Sequence, residues 1–152
     1  MIKLILLILV ILTQLTYAKP VKPKIKNTKP INYQYKNTIH PISKVKYNRN
    51  GFPVFKNNMS CRLPMHLHNS SDNKQFRFCN QKLLRQLQKN TTLSKNFSKK
   101  QLEAIRHNKI PDGYTWHHNQ KKGLLELVDR EIHNKTAHTG GRKIWGGGND
   151  NR

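Results

Sequence analysis

The stretch 112–138, DGYTWHHNQKKGLLELVDREIHNKTAH, holds four of the chain's eight histidines and constrains the fold more than any other segment. Residues 113–118 are rich in strand-forming side chains, and residues 119–123 have the composition of a turn. Residues 124–128 then indicate a returning strand. The stretch therefore predicts a β-hairpin in which the first strand ends on two adjacent histidines.

The residues after the hairpin predict a helix that carries the other two histidines of the stretch. Asp129 can cap the start of this helix, and Gly140 with Gly141 can end it. His133 and His138 are five positions apart, which places them about 140° apart around an ideal helix. We therefore expect one of them, most readily His138, to lie at a turned helix end.

Four imidazoles are unusual in a small core, because burying an unpaired polar group costs about 1 to 3 kcal/mol. Neutral imidazoles bind metal ions through one ring nitrogen, and an imidazole can also accept a proton from water near neutral pH. Adjacent residues of a regular strand face opposite sides, so His117 and His118 share a site only where the strand ends or bulges. The spacing leaves two alternatives open, a metal site or histidines exposed on the surface.

The N-terminus has the pattern of a signal peptide. A lysine precedes the apolar run 4–12, and small residues lead to Ala18, after which we expect cleavage, so that residues 1–18 are removed. The alternative is an uncleaved anchor, although the run is much shorter than the roughly 20 residues that span a bilayer. We therefore expect a secreted protein without stable membrane insertion once the signal is removed.

The charge of the chain is strongly basic. Its net charge is +22, and loss of Lys3 with the signal lowers this to +21, so a polyanion is the expected partner. Residues 19–50 contain nine Lys or Arg, four prolines and no acidic residue, which predicts a disordered basic arm. This arm could follow nucleic acid phosphates or serve only as a solvated spacer. The folded domain is expected at residues 51–148, with a short tail at 149–152.

Two further helices and a disulfide are expected upstream of the hairpin. Residues 80–90 have leucines at helical spacing, and Ser98 with Gln101 forms a capping box at the start of a second helix. Because the core is small and the compartment is expected to be oxidising, Cys61 and Cys79 are predicted to form a disulfide worth on the order of 3 kcal/mol. The alternative is a pair of free buried thiols.

Several short motifs in a fixed order resemble one known group. The string Pro-Asp-Gly-Tyr-Thr-Trp-His-His at 111–118 is followed by Glu-Ile-His-Asn-Lys at 131–135 and His-Thr-Gly-Gly at 138–141. Together with Asn-Gly-Phe-Pro-Val-Phe at 50–55, they resemble the WHH group of the HNH/endonuclease VII nuclease superfamily. Domains of this group typically form the toxic ends of bacterial secreted or contact-delivered toxins. The resemblance covers roughly residues 48–147.

The resemblance implies an α+β fold with a small ββα-metal core and flanking helices, and a metal-dependent endonuclease activity. It implies that His118 is the general base and that His117, His133 and His138 bind one divalent ion, for which Mg, Mn, Ni and Zn stay open. Glu126 stands on the second strand, where such nucleases often place the side chain that orients the base. It is expected to orient His118, and the alternative is an exposed carboxylate.

The remaining expectations concern partners. Six basic residues surround the motif in sequence and are expected to hold the nucleic acid backbone: Lys121, Lys122, Arg130, Lys135, Arg142 and Lys143. DNA is the first expectation for the substrate, RNA is an alternative, and a non-enzymatic cationic binder with a structural zinc is a second class. We expect a monomer, with export, disulfide-dependent folding or an immunity protein protecting the producing cell. Trp116 is expected in the hairpin core rather than as a stacking platform.

Overall fold

The structure is a computed structural model that describes residues 29–147. The expected signal peptide, residues 19–28 of the expected arm and the tail at 149–152 lie outside the described residues. The regular elements are, in order, β1 (Lys46–Tyr47), β2 (Pro53–Val54), β3 (Asn57–Arg62), α1 (Asp72–Lys89), α2 (Thr91–Ser94), α3 (Lys99–Arg106), β4 (Tyr114–His118), β5 (Leu124–Asp129), α4 (Arg130–Lys135) and α5 (Gly141–Ile144). No helix within residues 29–147 has both the length and the apolar character needed to cross a bilayer.

The main sheet is antiparallel and has three strands in the order β3-β5-β4. Strands β4 and β5 form the predicted hairpin, with an uninterrupted register in which His117 lies opposite Glu126 and His118 lies opposite Leu125. Strand β4 is at the edge of this sheet, and α4 follows β5 directly. The expected α+β class with a ββα unit is therefore confirmed.

Helix α1 covers one face of the sheet and builds the main core. Leu83 of α1 and Leu125 and Leu127 of β5 are fully buried in one apolar cluster. Trp116 belongs to the same cluster, and its indole Nε1 donates a hydrogen bond of 2.7 Å to Oδ1 of Asn80 on α1. Trp116 is therefore a core residue, as expected, and its polar atom is satisfied inside the core.

Two helices start where the predicted capping residues lie, because a cap depends only on residues a few positions apart. Ser98 and Gln101 make the reciprocal hydrogen bonds of a capping box at the start of α3. The Asp129 side chain accepts a hydrogen bond of 2.8 Å from the backbone N–H of Ile132 at the start of α4. Both predicted caps are confirmed. Helix α1 begins eight residues before position 80, with Ser71 preceding its first residue.

The folded part begins earlier than the predicted boundary at Gly51. Within the segment expected to be a disordered arm, residues 29–50 are ordered, and β1 pairs with β2. Tyr47 is fully buried, and Val45 packs with Phe55 and Val128 in a second apolar cluster. The composition of the segment is too polar for it to fold alone. A few apolar side chains that pack against the rest of the domain are enough to order it.

The two cysteines predicted to pair are neighbours in space. Cys61 of β3 and Cys79 of α1 are both buried in the main core, where they are free thiols. The Cys61 thiol and burial together raise the pKa of the Cys79 thiol, so the two side chains are close neighbours. The structure thus brings the two sulfur atoms together across the interface between α1 and the sheet, and the disulfide itself stays a prediction.

Candidate metal centre and nuclease cleft

Three histidines from different parts of the hairpin and helix converge on one point. His117 is the second-last residue of β4, His133 lies on α4 and His138 lies in the loop after α4. One ring nitrogen of each lies within 4.8 Å of the others. Nε2 of His138 is 3.3 Å from Nδ1 of His117. Two nitrogens bound tetrahedrally to one zinc ion at about 2.0 to 2.1 Å would be about 3.4 Å apart. The spacing of the cluster therefore fits a single metal ion.

His133 and His138 can lie close together because α4 ends between them. The sequence predicts that the helix ends at Gly140 with His138 at a turned end. In the structure α4 already ends at Lys135, and Thr136 leaves the helical conformation with φ −104° and ψ 82°. The Thr136 hydroxyl donates a hydrogen bond of 2.7 Å to the carbonyl of Ile132 and is buried there. His138 can then turn back toward His133, because it no longer follows the helical periodicity.

The surroundings of the cluster keep the imidazoles neutral and oriented. Nδ1 of His138 is hydrogen-bonded to the Thr136 carbonyl, which can only accept, so Nε2 is left with its lone pair toward the cluster. The Phe55 ring packs against all three imidazoles, with centroid distances of 4.8 to 5.4 Å. Burial, reinforced by the neighbouring imidazoles, lowers the pKa of His117 to about 2 and that of His133 to about 4. Neutral imidazole is the form that binds metal.

His118 faces the opposite side of the sheet and has a different partner. Its Nε2 lies 2.6 Å from Oε1 of Gln75 on α1, a fully buried side chain. The Gln75 amide nitrogen donates to the carbonyls of Leu67 and His68 at 2.8 and 2.9 Å, so Oε1 must be the acceptor. His118 therefore carries its proton on Nε2, and Nδ1 keeps the lone pair. Burial lowers the pKa of His118 to about 4.

Glu126 does not take the place that the sequence suggested. It lies opposite His117, and its carboxylate accepts hydrogen bonds from the amides of Asn57 and Asn119, at 3.4 and 2.9 Å. Among the described residues, the hydrogen-bond partner of the His118 imidazole is Gln75. The expectation that Glu126 orients His118 is corrected for a geometric reason. Directly opposed residues of two strands share a face, and Glu126 shares its face with His117.

One open cleft joins the two faces at the edge of the sheet. It has a volume of about 370 Å³ and is lined by Asp72, Phe76, Thr115, Trp116, His117, His118, His133, His138, Gly140 and Arg142. Because β4 is an edge strand, side chains from both of its faces can border the same opening. Nε of Arg142 donates a hydrogen bond of 2.9 Å to Asp72, and Asp72 lies 3.8 Å from Nε2 of His118.

Of the six basic residues expected to bind a nucleic acid backbone, Arg142 lines the cleft. Lys121 and Lys122 are exposed in the hairpin turn, and Lys143 is exposed on α5. Arg130 is paired with Asp112 at 3.0 Å, and Lys135 is paired with Glu131. The structure thus brings Arg142 to the histidines and distributes the other five over the surface outside the cleft.

Sequence reasoning missed two residues beside the site. Gln75 stands on the same helical face as Cys79 and Leu83, at spacings of four residues, and this periodicity could have identified it as a buried amide. Phe55 belongs to the Gly-Phe-Pro-Val-Phe string, but nothing local to that string indicates that its ring packs on the histidines. Both contacts bring together residues more than 40 positions apart.

Comparison with known proteins identifies one family. The family described as the DNase/tRNase domain of colicin-like bacteriocin matches residues 45–140, which include the hairpin, α4 and all four site histidines. No curated protein matched the chain. Membership of the WHH group stays a prediction. The matched segment spans more than half of the chain and begins at Val45, close to the start of β1. The chain therefore belongs to the family of DNase/tRNase domains of colicin-like bacteriocins.

Proposed function

We propose that this protein is a metal-dependent endonuclease that hydrolyses phosphodiester bonds, with DNA as its substrate. The observation that carries the proposal is the convergence of three imidazoles on one point, with a fourth imidazole bordering the same cleft. A metal ion can stabilise the charge that develops on the phosphate, and a separate base can activate the attacking water. The nuclease family of the chain supports the same reaction class.

The metal would be held by His117, His133 and His138. Three histidine ligands with open positions are typical of catalytic rather than structural zinc sites. An all-imidazole set suits zinc or nickel better than magnesium, which prefers oxygen ligands. When bound, such an ion supplies positive charge that stabilises the developing negative charge on the phosphate oxygens.

His118 is proposed as the general base, acting through Nδ1. Its Nε2 proton is donated to Gln75, so Nδ1 is the nitrogen that can take a proton from water. Gln75 is held in turn by the carbonyls of Leu67 and His68, which prevents its amide from flipping. The proposed base would thus have one defined tautomer.

Arg142 is proposed to bind the phosphate. Its Nε is fixed by Asp72, whereas its Nη2 is buried without a hydrogen-bond partner among the described residues. An unsatisfied guanidinium N–H is costly to bury, and a phosphate oxygen is a strong acceptor for it. Arg142 lines the cleft that the histidines share, so a phosphate held there would lie beside His118.

DNA is proposed as the substrate because hydrolysis by an activated water needs no 2′-hydroxyl group. A ribonuclease can use the 2′-hydroxyl as its nucleophile, and such a reaction has no need of the metal cluster. RNA remains the alternative substrate of the same site, since an activated water can attack either backbone.

The test is a nicking assay on supercoiled plasmid and on RNA, with the purified chain and Mg²⁺, Mn²⁺, Ni²⁺ or Zn²⁺ in turn. We expect plasmid nicking that EDTA abolishes and that added metal restores. Cleavage of RNA alone would assign the alternative substrate. If both nucleic acids stay intact with every metal, the enzymatic proposal fails and the cationic binder replaces it.

We also propose that the protein is secreted as a toxin after removal of residues 1–18. The support is the signal pattern and the bacteriocin family. Mass spectrometry of the protein from culture medium should find Lys19 as the first residue. A dedicated immunity protein would be the expected partner in the producing cell, and an intact Met1 in the recovered protein would contradict the cleavage.

A further inference from the structure

The loop that carries His138 is held by the N-terminal part of the described chain. We call residues 31–47 the N-terminal strap. The carbonyl of Ala137, next to His138, accepts two hydrogen bonds from the strap, from the Asn32 amide at 2.6 Å and from the Tyr47 hydroxyl at 3.0 Å. On the other side of His138, the hydroxyl of Thr139 accepts a hydrogen bond of 3.0 Å from the backbone N–H of Ile31. The strap therefore binds both neighbours of this histidine.

The donors of the strap are themselves fixed in place. Tyr47 is fully buried, and the His40 ring stacks on it with a centroid distance of 6.1 Å and an interplanar angle of 24°. Asn32 adopts the left-handed conformation at φ 62°, which asparagine tolerates better than most residues, and its amide also lies 3.4 Å from Nε2 of His40. Val45 anchors the strap by packing with Phe55, the residue that contacts the three site histidines.

The loop needs an external restraint because the helix has ended before it. Helix α4 ends at Lys135, and the last hydrogen bonds back to the helix are those made by Thr136. Among the described residues, the hydrogen bonds that reach Ala137 and Thr139 come from the strap. Ordering a free loop at the moment of metal binding would cost conformational entropy, whereas a loop held in advance has already met this cost.

We propose that the N-terminal strap is a positioning element of the metal site, in which Asn32 and Tyr47 hold the Ala137 carbonyl so that His138 completes the ligand set. This inference rests on the metal site proposed above. Asn32 and Tyr47 act through the loop and do not bind the metal. The segment expected to be only a basic arm or a spacer thus determines the affinity for the ion.

The test compares metal affinity in full-length variants that lose one donor each. Tyr47→Phe removes the hydroxyl and keeps the buried ring. Asn32→Gly removes the amide and keeps a residue suited to the left-handed conformation. Matched controls from the same strap are Tyr35→Phe, which also loses one hydroxyl, and Asn37→Gly, which also stands at a positive φ of 60°.

Zn²⁺ and Ni²⁺ affinities are measured by competition with a chromophoric chelator, and the unfolding midpoint of each variant is measured in EDTA. We expect about 10- to 100-fold weaker metal binding in Asn32→Gly and Tyr47→Phe, the range seen when groups that orient metal ligands are removed. The two controls should bind as the wild-type chain does. A purely structural role would lower the midpoint in EDTA and leave the metal affinity of the folded protein unchanged, which would overturn the inference.

His133→Ala separates failure of this inference from failure of the metal site. If the wild-type chain binds metal, His133→Ala does not, and both strap variants bind normally, the strap inference is wrong while the metal site stands. If the wild-type chain and His133→Ala both fail to bind, the metal site is wrong and the inference falls with it. Should Tyr47→Phe not fold, Asn32→Gly decides by the same comparison, since its side chain is not fully buried.

Discussion

The two faces of β4 carry adjacent histidines into environments that have little in common. His117 faces two further imidazoles and Phe55, all of which come from elements around α4 and the N-terminal part of the domain. His118 faces a single buried amide, Gln75, on the helix that covers the main core. Successive side chains of a regular strand point to opposite faces. This separates the histidine cluster, which is suited to binding metal, from the single oriented imidazole of His118. Because β4 is at the sheet edge, both still border one cleft.

The sharpest test of this division is His118→Ala. Removing a general base typically costs about 10²- to 10⁴-fold in rate, so plasmid nicking should fall by that amount. Metal affinity should not change, because His118 lies on the other face from the cluster. A variant that loses metal together with activity would break the comparison, as it would show that both histidines belong to one ligand set.

The reciprocal change is His133→Ala on the opposite face. Loss of a ligand should weaken metal binding by more than the roughly 10- to 100-fold seen for outer groups, and nicking should be lost at low metal concentrations. Raising the metal concentration should restore part of the rate, since His118 is intact. His107→Ala, which removes an exposed histidine bonded to Glu103 on α3, is the control and should leave both properties unchanged.

Oxidation of the cysteine pair tests the side of the sheet that His118 faces, because both cysteines lie in the core between α1 and that side. Oxidation of Cys61 and Cys79 to a disulfide should raise the free energy of unfolding by on the order of 3 kcal/mol, because it would close a loop in the unfolded chain. Unfolding in urea with and without reductant measures this difference, and Cys61→Ser should abolish it. Metal affinity should be the same in both redox forms. Two thiols that still titrate after oxidation would show that the disulfide does not form.

A smaller effect is expected for the residue that orients the base. Gln75→Met removes the acceptor for His118 and the donor for two carbonyls, so kcat should fall about tenfold while KM and metal affinity hold, in keeping with losses seen for outer groups. Nitrogen NMR of the His118 ring should show a loss of the single tautomer. Asn80→Leu is the matched control on the same helix. It loses buried hydrogen bonds to Trp116 and Asn108 and should cost about 1 to 3 kcal/mol of stability without the same effect on kcat.

The smallest effect is expected for Glu126→Gln. This carboxylate contacts Asn57 and Asn119 rather than His118, so the nicking rate should change by no more than about twofold, equivalent to roughly 0.5 kcal/mol. A kinetic assay at saturating metal measures it. A fall as large as that of His118→Ala would restore Glu126 as the group that orients the base and would remove the contrast between the two faces.

Local rules predicted much of this fold because their causes are local. The hairpin follows from strand-forming residues on either side of turn residues. The caps at Ser98 and Asp129 follow from side chains that bond to the backbone three positions away. The resemblance of short motifs identified His117, His118, His133 and His138 as one group, and the structure places three of them together and the fourth in the same cleft.

Contacts between distant segments could not be predicted in the same way. Gln75 reaches His118 across 43 positions, and Asn32 reaches Ala137 across 105. The composition of residues 19–50 predicted a disordered arm, because a segment rich in lysine and proline has too little apolar surface to fold by itself. Its ordered part is held by the burial of Tyr47 and by the packing of Val45 against Phe55 and Val128, which come from other parts of the domain.

The sequence by itself determined the identity of the chemical groups, the helix caps and the excess of positive charge. It also determined the hairpin, whose first strand ends in two histidines. Each of these depends on residue type or on neighbours within a few positions. The tertiary structure alone decided which nitrogen of His118 is free and where α4 ends relative to His138. It also decided which distant residues hold the loop that carries His138. These depend on hydrogen bonds between segments far apart in the chain, whose partners are selected by packing rather than by sequence spacing.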